Sequence, residues 1–148
     1  MGSQRENVIT LQWEKVSDIF DEFQEMANEH FKEIYGKEIK IDPSIMKNME
    51  DQGMLLTLTA RCNSIPVGYY SCAIAPSVYS KGEYEARDVG IFVKKEFRGE
   101  GITTSMQSAM DAELKKFVDA IYVSYPYESS IPEKAGYIKQ EIIYKRVL

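Results

Sequence analysis

Ile91-Phe92-Val93-Lys94-Lys95-Glu96-Phe97-Arg98-Gly99-Glu100-Gly101-Ile102-Thr103-Thr104 runs an apolar strand into a charged turn with two glycines, then directly into a helix. Glycine tolerates positive φ, so the backbone can curl and turn successive N–H groups inward. The helix behind adds unpaired N–H groups and the positive end of its dipole. Together these features make a seat for a phosphate or pyrophosphate. They point to a ligand of the nucleotide type.

On either side of this stretch the pattern alternates between helical and strand periods. Residues 8–12 form a short first strand. Across 13–35, Val16, Ile19, Phe20, Phe23, Met26, Ala27, Phe31 and Ile34 recur every three or four residues, the stripe of an amphipathic helix. Gly36 stops it. Asp42-Pro43 opens a second helix as cap and first residue, ending at Gly53. Residues 54–62 and 66–75 read as a hairpin around Asn63-Ser64-Ile65. A polar loop spans 76–82, and 84–93 is a long strand. A third helix spans 103–118, with Met106, Ala109, Met110, Leu114 and Phe117 on its buried side. A strand at 120–125, a short helical piece at 128–135 and a final strand at 138–147 complete the chain. The order β-α-α-β-β-β-α-β-(α)-β implies an α+β fold whose central sheet is mixed and carries helices on both faces.

The 148 residues suit a single domain over 1–148 with a sizeable core. No apolar run approaches the roughly 18 residues of a membrane span, and no secretory leader is evident at the start. In the hairpin Cys62 pairs near Pro66 and Cys72 near Leu56. Their thiols then lie on the order of 20 Å apart, too far for a disulfide. Two free thiols imply a cytoplasmic setting. The net charge of −5 argues against a nucleic-acid partner and is compatible with a cationic substrate such as an amine.

The glycine loop fits two common phosphate motifs poorly. No Lys-Ser/Thr follows the glycines, as a P-loop requires. In the dinucleotide fingerprint, Thr104 stands at the third glycine position. The pattern Val93-x-x-x-x-Arg98-x-x-Gly101-x-Thr103 instead resembles the acetyl-CoA pyrophosphate loop of the GNAT (Gcn5-related) N-acetyltransferases, [QR]-x-x-G-x-[GA] after an apolar fourth strand. The element order is similar to that family's over nearly the whole chain, and the junction at Gly136-Tyr137 resembles its signature before the last strands. The tail Gly136-Tyr137-x-x-x-Glu141-x-x-Tyr144-x-x-x-Leu148 resembles small GNAT proteins encoded by bacteriophages. Two positions depart from the pattern. Thr103 replaces Gly or Ala and narrows the cradle, and Pro132 stands where many members carry a proton-donating Tyr.

The resemblance implies a mostly antiparallel GNAT-type sheet and an N-acetyltransferase. Such an enzyme moves an acetyl group from acetyl-CoA, its co-substrate, to a primary amine of a small molecule or protein. No metal, nucleic-acid or membrane partner is expected; dimers are common in the resembled family, so a homodimer is one option, and the sequence leaves the oligomeric state open. The loop Arg98, Gly99, Glu100, Gly101, Ile102 and Thr103 would hold the pyrophosphate. The edge Ile91, Phe92 and Val93 would pair with the pantetheine amides, and a bulge near Phe92 or Val93 would free an N–H for the thioester carbonyl. The Arg98 side chain either touches phosphate or is a solvated turn residue.

Strand alternation puts Ala86, Asp88, Gly90 and Phe92 on one face, and Val89, Ile91 and Val93 on the other, against the methionine-bearing helix. Asp88 would take the amine's proton or hold a cationic substrate; the competing role is a structural ion pair. With Pro132 excluded, Tyr127 is the candidate acid, and Ser129 and Ser130 are alternates. Glu141 and Tyr144 on the last strand would line the acceptor pocket. His30, the only histidine, reads as a surface or helix-end residue. Trp13 reads as packing at the start of the first helix. A reading from a different class is a catalytically inactive GNAT-fold protein that binds CoA, a partner protein, or both. Pro132 and Thr103 favour it.

Overall fold

The structure, a computed structural model, describes residues 8–125 and 129–148. β1 (Ile9–Trp13) leads through a 3-10 turn at Val16–Asp18 into α1 (Phe20–Tyr35) and α2 (Pro43–Asp51). Then come β2 (Leu55–Cys62), β3 (Ile65–Pro76), β4 (Tyr84–Val93) and a 3-10 turn at Lys95–Phe97. α3 (Ile102–Leu114), β5 (Ala120–Tyr122) and the one-turn α4 (Ile131–Lys134) follow. The strands form one sheet in sequence order. All neighbours are antiparallel except β4 and β5, which are parallel.

Two apolar clusters cover opposite faces of this sheet. On one face Val16, Phe23, Met26 and Ala27 pack with Leu55, Tyr69 and Phe92. On the other Met106, Met110 and Leu114 of α3 pack with Leu58, Tyr70, Cys72, Ala86 and Val93. The expected α+β architecture is therefore observed. The stops are also as read: Gly36 adopts φ 69° and its N–H bonds to Lys32 O, and the Asp42 side chain accepts from Ser44 N. Among the described residues no helix is long and apolar enough to cross a membrane.

Four readings need correction. Residues 138–147 form no strand. Ile138, Ile142, Ile143, Tyr144 and Val147 are exposed, because no neighbouring strand supplies hydrogen bonds to that segment. α3 ends at Leu114, and Phe117 beyond it is 45% exposed. Trp13 belongs to β1 opposite Leu58 and is 44% exposed, so it does not pack at the helix start. The hairpin turn is the two-residue Asn63-Ser64, with φ 50° and 72°, so Cys62 faces Ile65. Val67 is one extra residue in β3, which brings Cys72 opposite Leu56 as read. Both cysteines are buried free thiols.

A second extra residue matters more. Ser71 faces Gly90 and Cys72 faces Asp88, so Val89 has no partner in β3. The bulge thus lies at Val89, not near Phe92 or Val93. It inverts the alternation, because one inserted residue moves every later side chain to the other face. Ala86 belongs to the α3-side cluster, whereas Phe92, six residues on, belongs to the α1-side cluster. Asp88 does not share a face with Gly90 and Phe92.

Candidate functional site

β4 and β5 pair only at Glu85↔Ala120, Ala86↔Ile121 and Arg87↔Tyr122. Just past that point the Asp88 carboxylate accepts the Ser124 N–H at 2.9 Å, a side chain standing in for the next ladder bond. Burial raises the Asp88 carboxyl above its usual range, and the Ser124 hydrogen bonds oppose that rise. From Val89 to Val93 the outer edge of β4 has no strand partner among the described residues. β5 ends at Tyr122, so this arm of β4 is left open.

The open arm leads to the glycine loop. Gly99 and Gly101 adopt φ 85° and 79°, and a side-chain carbon placed on either would meet nothing within 4 Å. Gly101 is the N-cap of α3, and no side chain caps that end. The first helical N–H groups therefore face an uncrowded space with the positive end of the dipole behind them. Ile102 anchors the turn from below in the α3-side cluster. The Arg98 amide is turned inward, donating to Lys95 O at 3.3 Å, so the candidate cradle begins at Gly99.

Arg98 itself does something the sequence did not suggest. Nη1 and Nη2 donate to the two Glu33 oxygens at 2.5 and 2.6 Å, and Nε donates to Val93 O at 2.9 Å. The side chain ties α1 to the end of β4. That hydrogen-bonded guanidinium lowers the Glu33 carboxyl below its usual value. Lys94 lies 3.9 Å from Glu29 on the same helix. Lys94 and Arg98 thus both have α1 carboxylates as neighbours.

His30 was read as a surface or helix-end residue. α1 instead lays it over the bulged strand. Its Nδ1 is 2.7 Å from the Tyr69 hydroxyl, and its ring stacks on Phe92 at 5.1 Å and 20°. Gly90 lies beneath: a side-chain carbon there would sit 3.3 Å from the Tyr69 hydroxyl oxygen and 3.6 Å from His30 Cε1. The one signal in the sequence was a polar residue beside the apolar stripe of α1; the glycine opposite it emerges only from the fold.

Tyr127 lies outside the described residues. The Ser129 hydroxyl accepts the Ile131 N–H at 3.2 Å. Pro132 is in the first turn of α4. Glu141 lies 3.5 Å from Arg87, and Tyr144 is 88% exposed, so Tyr144 lines no pocket. A groove of about 1080 Å³ runs between the C-terminal half of α3, β5 and residues 132–143, but none of residues 89–103 lines it. In it Tyr137 donates to Asp111 at 2.6 Å.

No family model and no curated protein sequence matches the chain. Solved structures do. A predicted acetyltransferase of Clostridium acetobutylicum with acetyl-CoA aligns with TM-score 0.77 at 16% identity, over 95% of this chain and 96% of that one. A GNAT family acetyltransferase of Staphylococcus aureus gives 0.69 at 14%, over 95% and 98%. An aminoglycoside acetyltransferase from an uncultured soil metagenomic sample, in complex with sisomicin, gives 0.69 at 14%, over 95% and 96%. The chain has the fold of the GNAT acetyltransferases.

Proposed function

We propose that this GNAT-fold chain transfers an acetyl group from acetyl-CoA to a primary amine of a small molecule or protein. The observation that carries the reading is the outer edge of β4 left unpaired beyond Arg87, leading to an uncapped helix N-terminus with two left-handed glycines. The structural likeness to acetyltransferases supports it, one of them solved with acetyl-CoA and another with an aminoglycoside, which bears amines.

In this reading the amides of Gly99 to Thr103 hold the pyrophosphate, and the free edge Ile91 to Val93 pairs with pantetheine as an added strand would. A backbone N–H freed by the Val89 bulge polarises the thioester carbonyl, which is worth most in a site shielded from water. The amine nitrogen attacks that carbon, a C–N bond forms and the C–S bond breaks. Tyr127, assigned from the sequence alone, supplies the thiolate's proton. Two buried thiols suit a reducing compartment such as the cytoplasm.

Thermal unfolding with acetyl-CoA tests the donor site. Ligand at about 100 times its Kd stabilises a fold by roughly 2.7 kcal/mol. At about 2–4 °C per kcal/mol for a chain of this size, Tm rises by about 5–11 °C. Gly101→Glu removes the rise by placing a charged side chain in the cradle. No rise in the unaltered protein refutes the reading. A rise without thiol release across an amine panel favours a binding protein that is no catalyst, the role for which Pro132 in α4 speaks.

A further inference from the structure

His30 and Tyr69 form a hydrogen-bonded pair that the donor site leaves unused. They sit over Gly90, the residue after the Val89 bulge, just beyond the place where β4 parts from β5. The bare Gly90 leaves room for both, since a side-chain carbon there would press on the Tyr69 hydroxyl at 3.3 Å. Tyr69 is buried between Phe23 and Phe92, which fixes its hydroxyl. His30 is only half buried, so its ring spans from that fixed hydroxyl to an accessible surface.

We propose that His30 takes the proton of the attacking amine and that Tyr69 positions its ring. This assignment rests on the acyl-transfer reading and names the base within it. With Nδ1–H donating to the Tyr69 oxygen, Nε2 keeps its lone pair and accepts the proton. An ammonium nitrogen sheds two protons on becoming an amide. One goes to Nε2 and on to solvent, and the other replaces the proton that Tyr127 gives the sulfur, which departs as the thiol. The same Tyr69 oxygen stabilises the imidazolium by accepting from Nδ1–H throughout.

The surroundings suit a base that is neutral at pH 7. Burial dominates and lowers the His30 pKa from 6.5; Glu33 on α1 raises it and Arg98 from the loop lowers it. Tyr69 from β3 and Phe92 from β4 complete the contacts, and burial pushes the Tyr69 hydroxyl up, so it stays protonated. Asp88, the carboxylate in the same strand, faces the other way and is engaged by Ser124.

Because His30 is the sole histidine, its ring proton signals in NMR are unambiguous. Saturating acetyl-CoA is expected to shift them, and Gly101→Glu to abolish that shift. His30→Gln is expected to lower kcat about 100-fold or more, the usual range for losing a general base, with the acetyl-CoA-induced Tm rise retained. The acidic limb of kcat/KM should lie below pH 6.5 and vanish in His30→Gln. Tyr69→Phe should move the limb to lower pH, a readout that a packing role leaves unchanged. Imidazole signals untouched by bound acetyl-CoA overturn the proposal without any knowledge of the acceptor. So does His30→Gln turning over at the unaltered rate with the same pH profile. Absence of any acetyl-CoA-induced Tm rise sinks the acyl-transfer reading itself, and this assignment falls with it.

Discussion

Replacing Arg98 by alanine separates two jobs for this residue: gripping a phosphate, or tying α1 to the end of β4. The geometry favours the tie. Two guanidinium nitrogens meet both Glu33 oxygens, and Nε reaches Val93 O. The two side chains are 40% and 44% exposed, so the pair is screened by water. Exposed pairs contribute about 0.2–1 kcal/mol, with bidentate ones at the upper end. The partly buried bond to Val93 adds about 1 kcal/mol. Arg98→Ala should therefore cost about 2 kcal/mol and Glu33→Gln about 1 kcal/mol or less. At about 2–4 °C per kcal/mol, thermal unfolding should show Tm falling by about 4–8 °C and 2–4 °C. The double variant should show a coupling of about 0.5–1 kcal/mol. The pH dependence follows from Glu33. Arg98 lowers its folded pKa, so the stabilisation is complete above the unfolded value of 4.5 and is lost as pH falls through the folded value. The Tm gap between the native sequence and Glu33→Gln should accordingly close in acid. Coupling near zero, or a Glu33→Gln protein more stable than the native one at pH 7, would refute the tie. Arg98→Ala at unaltered stability but without the acetyl-CoA response would return Arg98 to the phosphate.

Gly68→Ala should destabilise by about 1–3 kcal/mol in urea unfolding, because overpacking has no relief there. The new carbon would lie 2.7 Å from the backbone oxygen of Phe92 and 3.3 Å from Val93 Cγ2, and unaltered stability would contradict that packing. Ser64→Gly should raise Tm by about 2–4 °C, since Ser64 holds φ 72° at a cost of about 1 kcal/mol that glycine avoids. The Arg61 bond to the Ser64 carbonyl survives the change, so a fall in Tm would show the turn to be other than described. Asp88→Asn should leave turnover near normal and raise Tm at pH 7, because the amide oxygen still accepts from Ser124 without a buried charge. The sign follows from the raised folded pKa: ionising Asp88 costs stability as pH rises through it, so the gain disappears in acid below the unfolded value of 3.8. Turnover that collapses in Asp88→Asn would make Asp88 the base and exclude His30.

Local chemistry was legible wherever a residue decides its own conformation. The stripe of α1, its stop at Gly36 and the Asp42-Pro43 start of α2 depend on neighbours three or four residues away. β4 runs from Tyr84 to Val93 as its alternation and flanking turns suggest. The glycine loop was equally plain, because positive φ at Gly99 and Gly101 is a property of those residues. What escaped is pairing across distance. Nothing in Asp88-Val89-Gly90 marks Val89 as unpaired; β3 decides that, and with it the face of every later side chain. His30 looked peripheral because its place is set by the strand beneath α1, which a helical stripe does not reveal. Residues 138–147 are rich in strand formers, yet among the described residues they pair with neither the outer edge of β5 nor the free edge of β4, and pairing across distance is what periodicity does not reveal.

The bulge and the missing side chain at Gly90 belong to one arrangement. Without the extra residue, Gly90 would turn toward α3 and Val89 toward α1. A valine in that place would meet Tyr69 and His30, since even a single carbon on Gly90 already lies 3.3 Å from the Tyr69 oxygen. The insertion therefore faces glycine toward the His30–Tyr69 pair, while Asp88, ahead of it, keeps the face of Ala86 and holds Ser124. One residue without a partner in β3 thus puts positions 88 and 90 on opposite faces of the sheet and keeps the Asp88 carboxylate away from the His30–Tyr69 pair. In the acyl-transfer reading the loop would offer a ligand main-chain amides, so Gly99 and Gly101 constrain the sequence there and little else does. At the bulge the offered groups are side chains on different elements. A fold shared with acetyltransferases despite scant sequence identity is the expected result when the first half of a site is made of backbone. If the acyl-transfer proposal holds, selectivity for an acceptor is expected around Gly90 and the α1 residues that cover it.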